Sequence, residues 1–233
     1  MTPSNLTQIF EDTRRLSIKE QIEYLVDKFD NKIVFSTSFG LEDQVITDII
    51  FKNNLNVEIF TIDTGRLFQE TYRVLNATRE KYKQNIHVFF PDTESIEKLV
   101  TEKGPNSFFE SLDNRKECCY LRKVIPLTRA LKGKKCWITG LRSEQSENRQ
   151  QLSLYSFDAH FDLIKFNPLI DWSFEEVKKY ILENNVPYNS LHDKNFVSIG
   201  CAPCTRAIKE SEDFRAGRWW WEQNSGKECG LHS

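Results

Sequence analysis

The feature that most restricts the fold of this chain is an alternation. Short runs rich in β-branched and aromatic residues, "KIVFS" (32–36), "VEIFTI" (57–62), "IHVFF" (86–90) and "KCWITG" (135–140), read as strands. Between them lie "LEDQVITDIIFK" (41–52), "LFQETYRVLNATREKY" (67–82) and "SIEKLVTEK" (95–103), whose apolar residues fall at helical spacing. "CCYLRKVIPLTRALKG" (118–133) is a further helical pattern, interrupted by Pro126. The first 30 residues read as helical, with Leu16, Ile22, Leu25, Val26 and Phe29 near one face. Strand–helix repetition at this spacing predicts an α/β fold, a parallel sheet flanked by helices on both faces. Ligands of such folds lie beyond the carboxyl ends of the strands, so the loops after the strands come first in any search for chemistry.

Beyond residue 150 the periodicity weakens. "DLIKFNPL" (162–169) reads as extended, and "SFEEVKKYILENN" (173–185) as a helix opened by a capping box of Ser173 and Glu176. An irregular stretch follows from Val186, punctuated by Pro187, Gly200, Pro203, Gly217 and Gly226. No repeat and no low-complexity segment interrupts the 233 residues. One domain over 1–233 is expected, with a helical segment at 1–30 and a flexible tail at 219–233.

Charge and hydropathy exclude several roles. Lys plus Arg total 32 against 34 Asp plus Glu, which gives no general reason to expect nucleic acid or an anionic membrane as partner. No run of about 18 apolar residues is present. The opening "MTPSNLTQIFEDTRR" has no signal-type apolar stretch, so a cytoplasmic location is expected. In a reducing compartment the six cysteines should be ligands, nucleophiles or core residues, not disulfides.

Three loops follow strands. "STSFGLEDQ" (36–44) opens a helix with two hydroxyls and a glycine, a setting that offers backbone N–H groups and a positive dipole end. It lacks the Walker pattern, and on local grounds a plain turn capped by Ser38 is the better account. "TIDTGRLFQETY" (61–72) could read a base or ribose, or be a capped turn. "TGLRSEQSENR" (139–149) carries Arg142 and Arg149, guanidiniums that suit phosphate or sulfate unless the loop is merely solvated.

The cysteines are more specific. Cys118 and Cys119 are adjacent at the start of the expected helix, and Cys201 and Cys204 form "GCAPCTR". Two close pairs far apart in sequence suggest four thiolates on one metal centre. Adjacent thiols chelate one tetrahedral zinc awkwardly, whereas a cubane has separate iron corners; zinc and plain core thiols stay as alternatives. Cys136, inside a strand, reads as a buried free thiol. Cys229 stands apart, four residues from the end, downstream of the cations Arg206, Lys209, Arg215 and Arg218. Nearby cations would lower a thiol's pKa and attract an anionic electrophile; a free thiol on a frayed tail is the plainer alternative.

Taken in order, the three loops, "ECCYLRK", "GCAPCTR", "RAGRWWW" and "ECGLH" resemble the assimilatory sulfonucleotide reductases from about residue 33 to the last residue. The resemblance implies a Rossmann-like sheet of the adenine nucleotide alpha hydrolase-like kind. It also implies a reaction: a thiolate attacks the sulfur of an adenylyl sulfate, expels AMP, and the resulting S-sulfocysteine is released as sulfite by thioredoxin or glutaredoxin. By position, Cys229 resembles the nucleophile on a tail that closes and reopens, and His232 the tail histidine. Cys118, Cys119, Cys201 and Cys204 match the branch that carries a 4Fe–4S cluster and acts on adenosine 5′-phosphosulfate (APS). Use of 3′-phosphoadenosine 5′-phosphosulfate (PAPS) stays open. Ser36, Ser38, Phe39, Gly40 and Glu42 fall in the first nucleotide loop, and Ile62, Asp63 and Thr64 in the adenosine region. Gly140 and Arg149 fall in the phosphate-side loop, Lys123 between cluster and substrate, and Arg215 and Arg218 at the phosphosulfate. The first loop departs from the Ser-Gly-Gly-x-Asp-Ser form of ATP pyrophosphatases, which disfavours an ATP-dependent adenylating enzyme. A homo-oligomer is implied as well. A non-enzymatic redox-sensing module would explain the two cysteine pairs but leave Cys229 idle.

Overall fold

The computed structural model describes residues 3–145 and 151–222. In chain order the elements are helices α1 (Pro3–Thr13) and α2 (Ile18–Lys28), strand β1 (Ile33–Ser36), α3 (Leu41–Lys52), β2 (Glu58–Ile62), α4 (Gln69–Tyr82) and β3 (His87–Phe89). They continue with α5 (Thr93–Lys103), α6 (Leu112–Cys119), α7 (Ile125–Leu131), β4 (Cys136–Ile138), β5 (Tyr155–Asp158), β6 (Leu163–Phe166) and α8 (Phe174–Glu183). The chain divides into two compact units. The first comprises described residues within 1–61, 70–87 and 133–189; the second, those within 62–69, 88–132 and 190–233.

The six strands form one sheet in the order β3-β2-β1-β4-β6-β5. β1 is parallel to β2 and to β4, and β4 is parallel to β6. Ile33, Val34 and Phe35 of β1, and Cys136, Trp137 and Ile138 of β4, are fully buried, as strands covered on both faces must be. The expected parallel sheet is present with one addition. β5 runs antiparallel to β6 at the edge. Its residues fall in the stretch where periodicity fades, and only part of the strand is buried, so no apolar run announces it.

Helix α3 is buried along most of its length, polar residues included. Burial of these groups is tolerable because most of their polar atoms are paired, Gln44 Oε1 being the exception among the described residues. The Gln44 amide donates to Thr78 Oγ1 and to the Pro187 carbonyl. Asp48 accepts from the Tyr82 hydroxyl at 2.5 Å and the Tyr180 hydroxyl at 2.8 Å. The capping box of α8 is formed: Glu176 N–H donates to Ser173 Oγ, and Ser173 N–H donates to the Glu176 carboxylate.

The second unit contains α5, α6 and α7 and the irregular run from 190 to 222. Its apolar cluster joins Leu99, Phe108 and Trp219 to the thiols of Cys118, Cys201 and Cys204. The helical expectation for 118–133 needs two corrections. Cys118 and Cys119 close α6; they do not open a helix. Pro126 does not interrupt the helical path either. Residues Tyr120–Val124 form a π-helical turn, with Ile125 N–H bonded to Tyr120 O, and α7 continues from it with Pro126 in its first turn. Proline lacks an N–H and crowds the carbonyl four residues back; widening the preceding turn relieves both problems without breaking the helix.

Candidate active site

In the first unit, β1 delivers Ser36 and β4 delivers the Gly140 turn. Ser36 Oγ accepts the indole N–H of Trp137 at 2.8 Å. Phe39 adopts a left-handed backbone (φ 62) with its side chain almost wholly buried, an unusual conformation for a bulky residue. Its N–H donates to Thr37 Oγ1. Gly40 caps α3 without a side-chain bond. The carboxylate of Asp43 reaches back instead, accepting from Ser38 N–H at 2.6 Å and Ser38 Oγ–H at 2.7 Å. Burial raises the Asp43 carboxyl from its ordinary 3.8 to about 6. A Cβ at Gly140 would overlap Asp43 Oδ1, so only glycine lets the second turn pack on this carboxylate.

Glu42 is equally committed. Arg142 Nε donates to Glu42 Oε1 at 2.8 Å, while Arg142 Nη1 meets Glu144 Oε2 and the Trp172 carbonyl, each at 3.0 Å. Arg142 is thus an internal clamp and not a phosphate donor, contrary to the expectation for this loop. Two carboxylates already sit at the positive end of α3. That end suits hydrogen bonding to a neutral nucleoside better than the capture of a polyphosphate.

In the second unit, the segment after β2 forms a tight turn. Asp63 Oδ1 accepts Gly65 N–H at 2.8 Å, and Gly65 has φ 71. Thr64 Oγ1 lies 3.3 Å from Cys201 Sγ, and its carbonyl accepts Arg122 Nη1 at 2.7 Å. Cys201 caps a short 3₁₀ turn that Cys204 closes; Cys204 N–H donates to Cys201 O and Ala202 N–H to Arg66 O. Trp219 N–H donates to Cys204 O, and the Trp219 ring lies under the guanidiniums of Arg115 at 4.5 Å and Arg218 at 4.8 Å. Arg115 is held in turn by both carboxylate oxygens of Glu222.

These elements bring Cys118, Cys119, Cys201 and Cys204 to one cleft, together with Arg66, Arg115, Arg122 and Lys123. Burial pushes the Cys118 thiol up against the opposing pull of Arg122, and pushes Cys204 up to about 12. Among the described residues, no three Cys, His, Asp or Glu side chains are gathered for a single metal ion. The buried donors Arg122 Nε, Arg218 Nε and Trp219 Nε1 have no hydrogen-bond acceptor among the described residues. Four thiols in one cleft, edged by the unanswered N–H donors of Arg122 and Trp219, fit a multinuclear anionic centre such as a 4Fe–4S cluster.

The expected residues therefore fall in two groups. Ser36, Ser38, Phe39, Gly40, Glu42 and Gly140 belong to the first unit; Ile62, Asp63, Thr64, Lys123, Arg215, Arg218 and the four cysteines belong to the second. Arg218 packs on Gly200, where a Cβ would overlap its guanidinium. Arg206, one of the cations counted toward Cys229, is paired with both oxygens of Glu212. Cys136 is fully buried in β4, as expected. Arg149, Cys229 and His232 lie outside the described residues. Sequence reading missed Asp43, Arg66, Arg115, Arg122 and Trp219 as contributors. The adjacency of Arg122 to Lys123 was the available signal for one of them.

Comparison with known proteins places this geometry. The phosphoadenosine phosphosulfate reductase domain family matches residues 32–207. The adenosine 5′-phosphosulfate reductase of Agrobacterium fabrum is 48% identical over 201 residues, covering 86% of this chain and 77% of that protein. The enzyme of the same name from Allochromatium vinosum is 46% identical over 220 residues, covering 94% and 86%. Among solved structures, phosphoadenylyl-sulfate (PAPS) reductase from Candida auris superimposes with a TM-score of 0.75 at 32% identity, over 89% of this chain and 98% of that one. Candida glabrata FMN adenylyltransferase, at 17% identity, covering 88% of this chain and 69% of that one, with a TM-score of 0.52, shares the fold alone. The chain belongs to the sulfonucleotide reductase family and is an oxidoreductase of that family.

Proposed function

We propose that this enzyme reduces APS to sulfite and AMP with a protein dithiol, thioredoxin or glutaredoxin, as electron donor. The observation that carries the reading is the cleft where four cysteine thiols meet Arg66, Arg115, Arg122 and Lys123. The names of relatives 46–49% identical to the chain support APS as substrate. Cys118, Cys119, Cys201 and Cys204 would hold a 4Fe–4S cluster. When bound, it would supply a fixed local field near the sulfate and no electrons to substrate.

The chain's own residues do the rest. Lys123, Arg215 and Arg218 are cationic donors for phosphate and sulfate oxygens. The Ser36–Glu42 loop, kept in shape by Asp43 and Arg142, offers backbone and hydroxyl groups to the nucleoside. The Cys229 thiolate attacks the sulfur of APS. An S–S bond forms, the S–O bond breaks, and AMP leaves with the electron pair. A thiolate of the reductase then attacks Cys229 Sγ and releases sulfite. Its second thiol closes a disulfide and returns Cys229 to the thiol state.

The test is intact mass of anaerobically purified protein mixed with APS or PAPS and no reductant. Gain of one SO₃ unit, lost on adding thioredoxin and absent in Cys229→Ser, is the expected result; the faster-labelling nucleotide names the substrate. Retained sulfite formation by Cys229→Ser would sink the assignment of the nucleophile. No gain with either nucleotide would favour a redox-sensing module.

A further inference from the structure

The second unit exposes a cluster of aromatic rings that its own cleft does not use. Phe109 and Trp220 are 41% and 49% exposed, and Leu112, three residues beyond Phe109, is 48% exposed. Phe109 meets Trp221 edge-on with centroids 4.4 Å apart, and Trp220 meets Trp221 at 5.7 Å and 89°. Phe108, only 2% exposed, stands 4.4 Å from Phe109 and anchors the group to the core. Exposed Glu110 and Asp113 flank it in sequence. Rigid aromatic rings edged by polar residues are the usual make-up of a protein-binding surface.

The remaining chain indicates which partner uses it. Cys229 lies seven residues beyond Glu222, so it stays within about 24 Å of that residue even at full extension. Any protein thiol that reacts with Cys229 must approach within that radius of the aromatic cluster.

We infer that Phe109, Leu112, Trp220 and Trp221 form the docking surface for the dithiol protein that releases sulfite from Cys229. This inference rests on the reductase reading above. The docked protein attacks Cys229 Sγ through one thiolate, forming a mixed disulfide as the S–SO₃ bond breaks and sulfite leaves with the bonding pair. Its second thiol then displaces Cys229 and the partner is left oxidised.

The experiment compares wild type with Phe109→Ser and Trp220→Ser in three assays on the cluster-bearing protein. These are labelling of Cys229 by APS, sulfite release by thioredoxin, and sulfite release by dithiothreitol. The expected result is unchanged labelling and unchanged release by dithiothreitol, with kcat/KM for thioredoxin down roughly tenfold. Unchanged thioredoxin kinetics would overturn the inference. So would a parallel loss with dithiothreitol, which would make the rings structural. A change of sedimentation from dimer to monomer with unchanged thioredoxin kinetics would instead assign the face to a second copy of the chain. If wild type takes no label from APS, the reductase reading itself fails and the docking surface falls with it.

Discussion

The two units solve the same problem, fixing polar groups in a buried place, by different means. In the first, a sheet and nearly all-round burial of α3 set the backbone, and each buried carboxylate finds its donors inside the unit. In the second, few regular elements surround the thiols. Order comes from a π-turn, guanidiniums on an indole ring and carbonyl contacts from Arg122 and Trp219, and three donors stay unanswered. The first unit leaves only Gln44 Oε1 unanswered among its described buried side chains, while Glu42, Asp43 and Asp48 all have donors; an inventory so nearly closed makes a scaffold whose charged groups need no ligand. An open one makes a site whose stability depends on what it binds.

That contrast is tested most severely by Cys204→Ala. Iron content should fall to a small fraction, and activity by roughly 100-fold or more. Hydrogen exchange should lose protection in 190–222 and keep it in 33–61. Equal loss in both stretches would erase the distinction between the units.

Gly140→Ala strikes the paired carboxylates of the first unit. The new methyl would overlap Asp43 Oδ1, which two bonds from Ser38 hold in place. A loss of about 1–3 kcal/mol in urea unfolding is expected, with a raised KM for the nucleotide and normal iron content. Lowered iron content would mean that the two units are not separable in this sense.

An effect of similar size concerns pH. Asp43 has a folded value near 6 against an ordinary 3.8, so between these values the folded state binds more protons. Stability should therefore fall as pH rises from about 4 to about 6, and level off above. Asp43→Asn should flatten that slope, an effect of about 1–3 kcal/mol by urea titration at several pH values. An unchanged slope would assign it to another group.

The same contrast explains what could be read from the sequence. Strands β1, β2 and β4, helix α3 and the Ser173 capping box were legible, because period and cap chemistry are local. The antiparallel edge strand β5 was not, since half-exposed Tyr155–Asp158 carries no long apolar signal. The gathering of the cysteines was foreseen from their spacing, yet their place at the end of α6 was not, because a π-turn has no pattern of its own. The clamp formed by Arg142 was not legible because its partner, Glu42, is 100 residues away in sequence.

The π-turn at Tyr120–Val124 has one more consequence, for how such a chain can evolve. In an ordinary helix, losing one residue rotates everything beyond it by about 100° and ruins the packing on one side. Here the wide turn already holds a surplus residue between the thiols of α6 and the buried Leu127, Ala130 and Leu131 of α7. Length is therefore negotiable at this point. A single deletion could convert the wide turn to an ordinary one while both flanking segments keep their seats, and only the headings of Arg122 and Lys123 would change. The stretch that bears the cleft's cations is where the chain can alter its chemistry by indel without paying in fold.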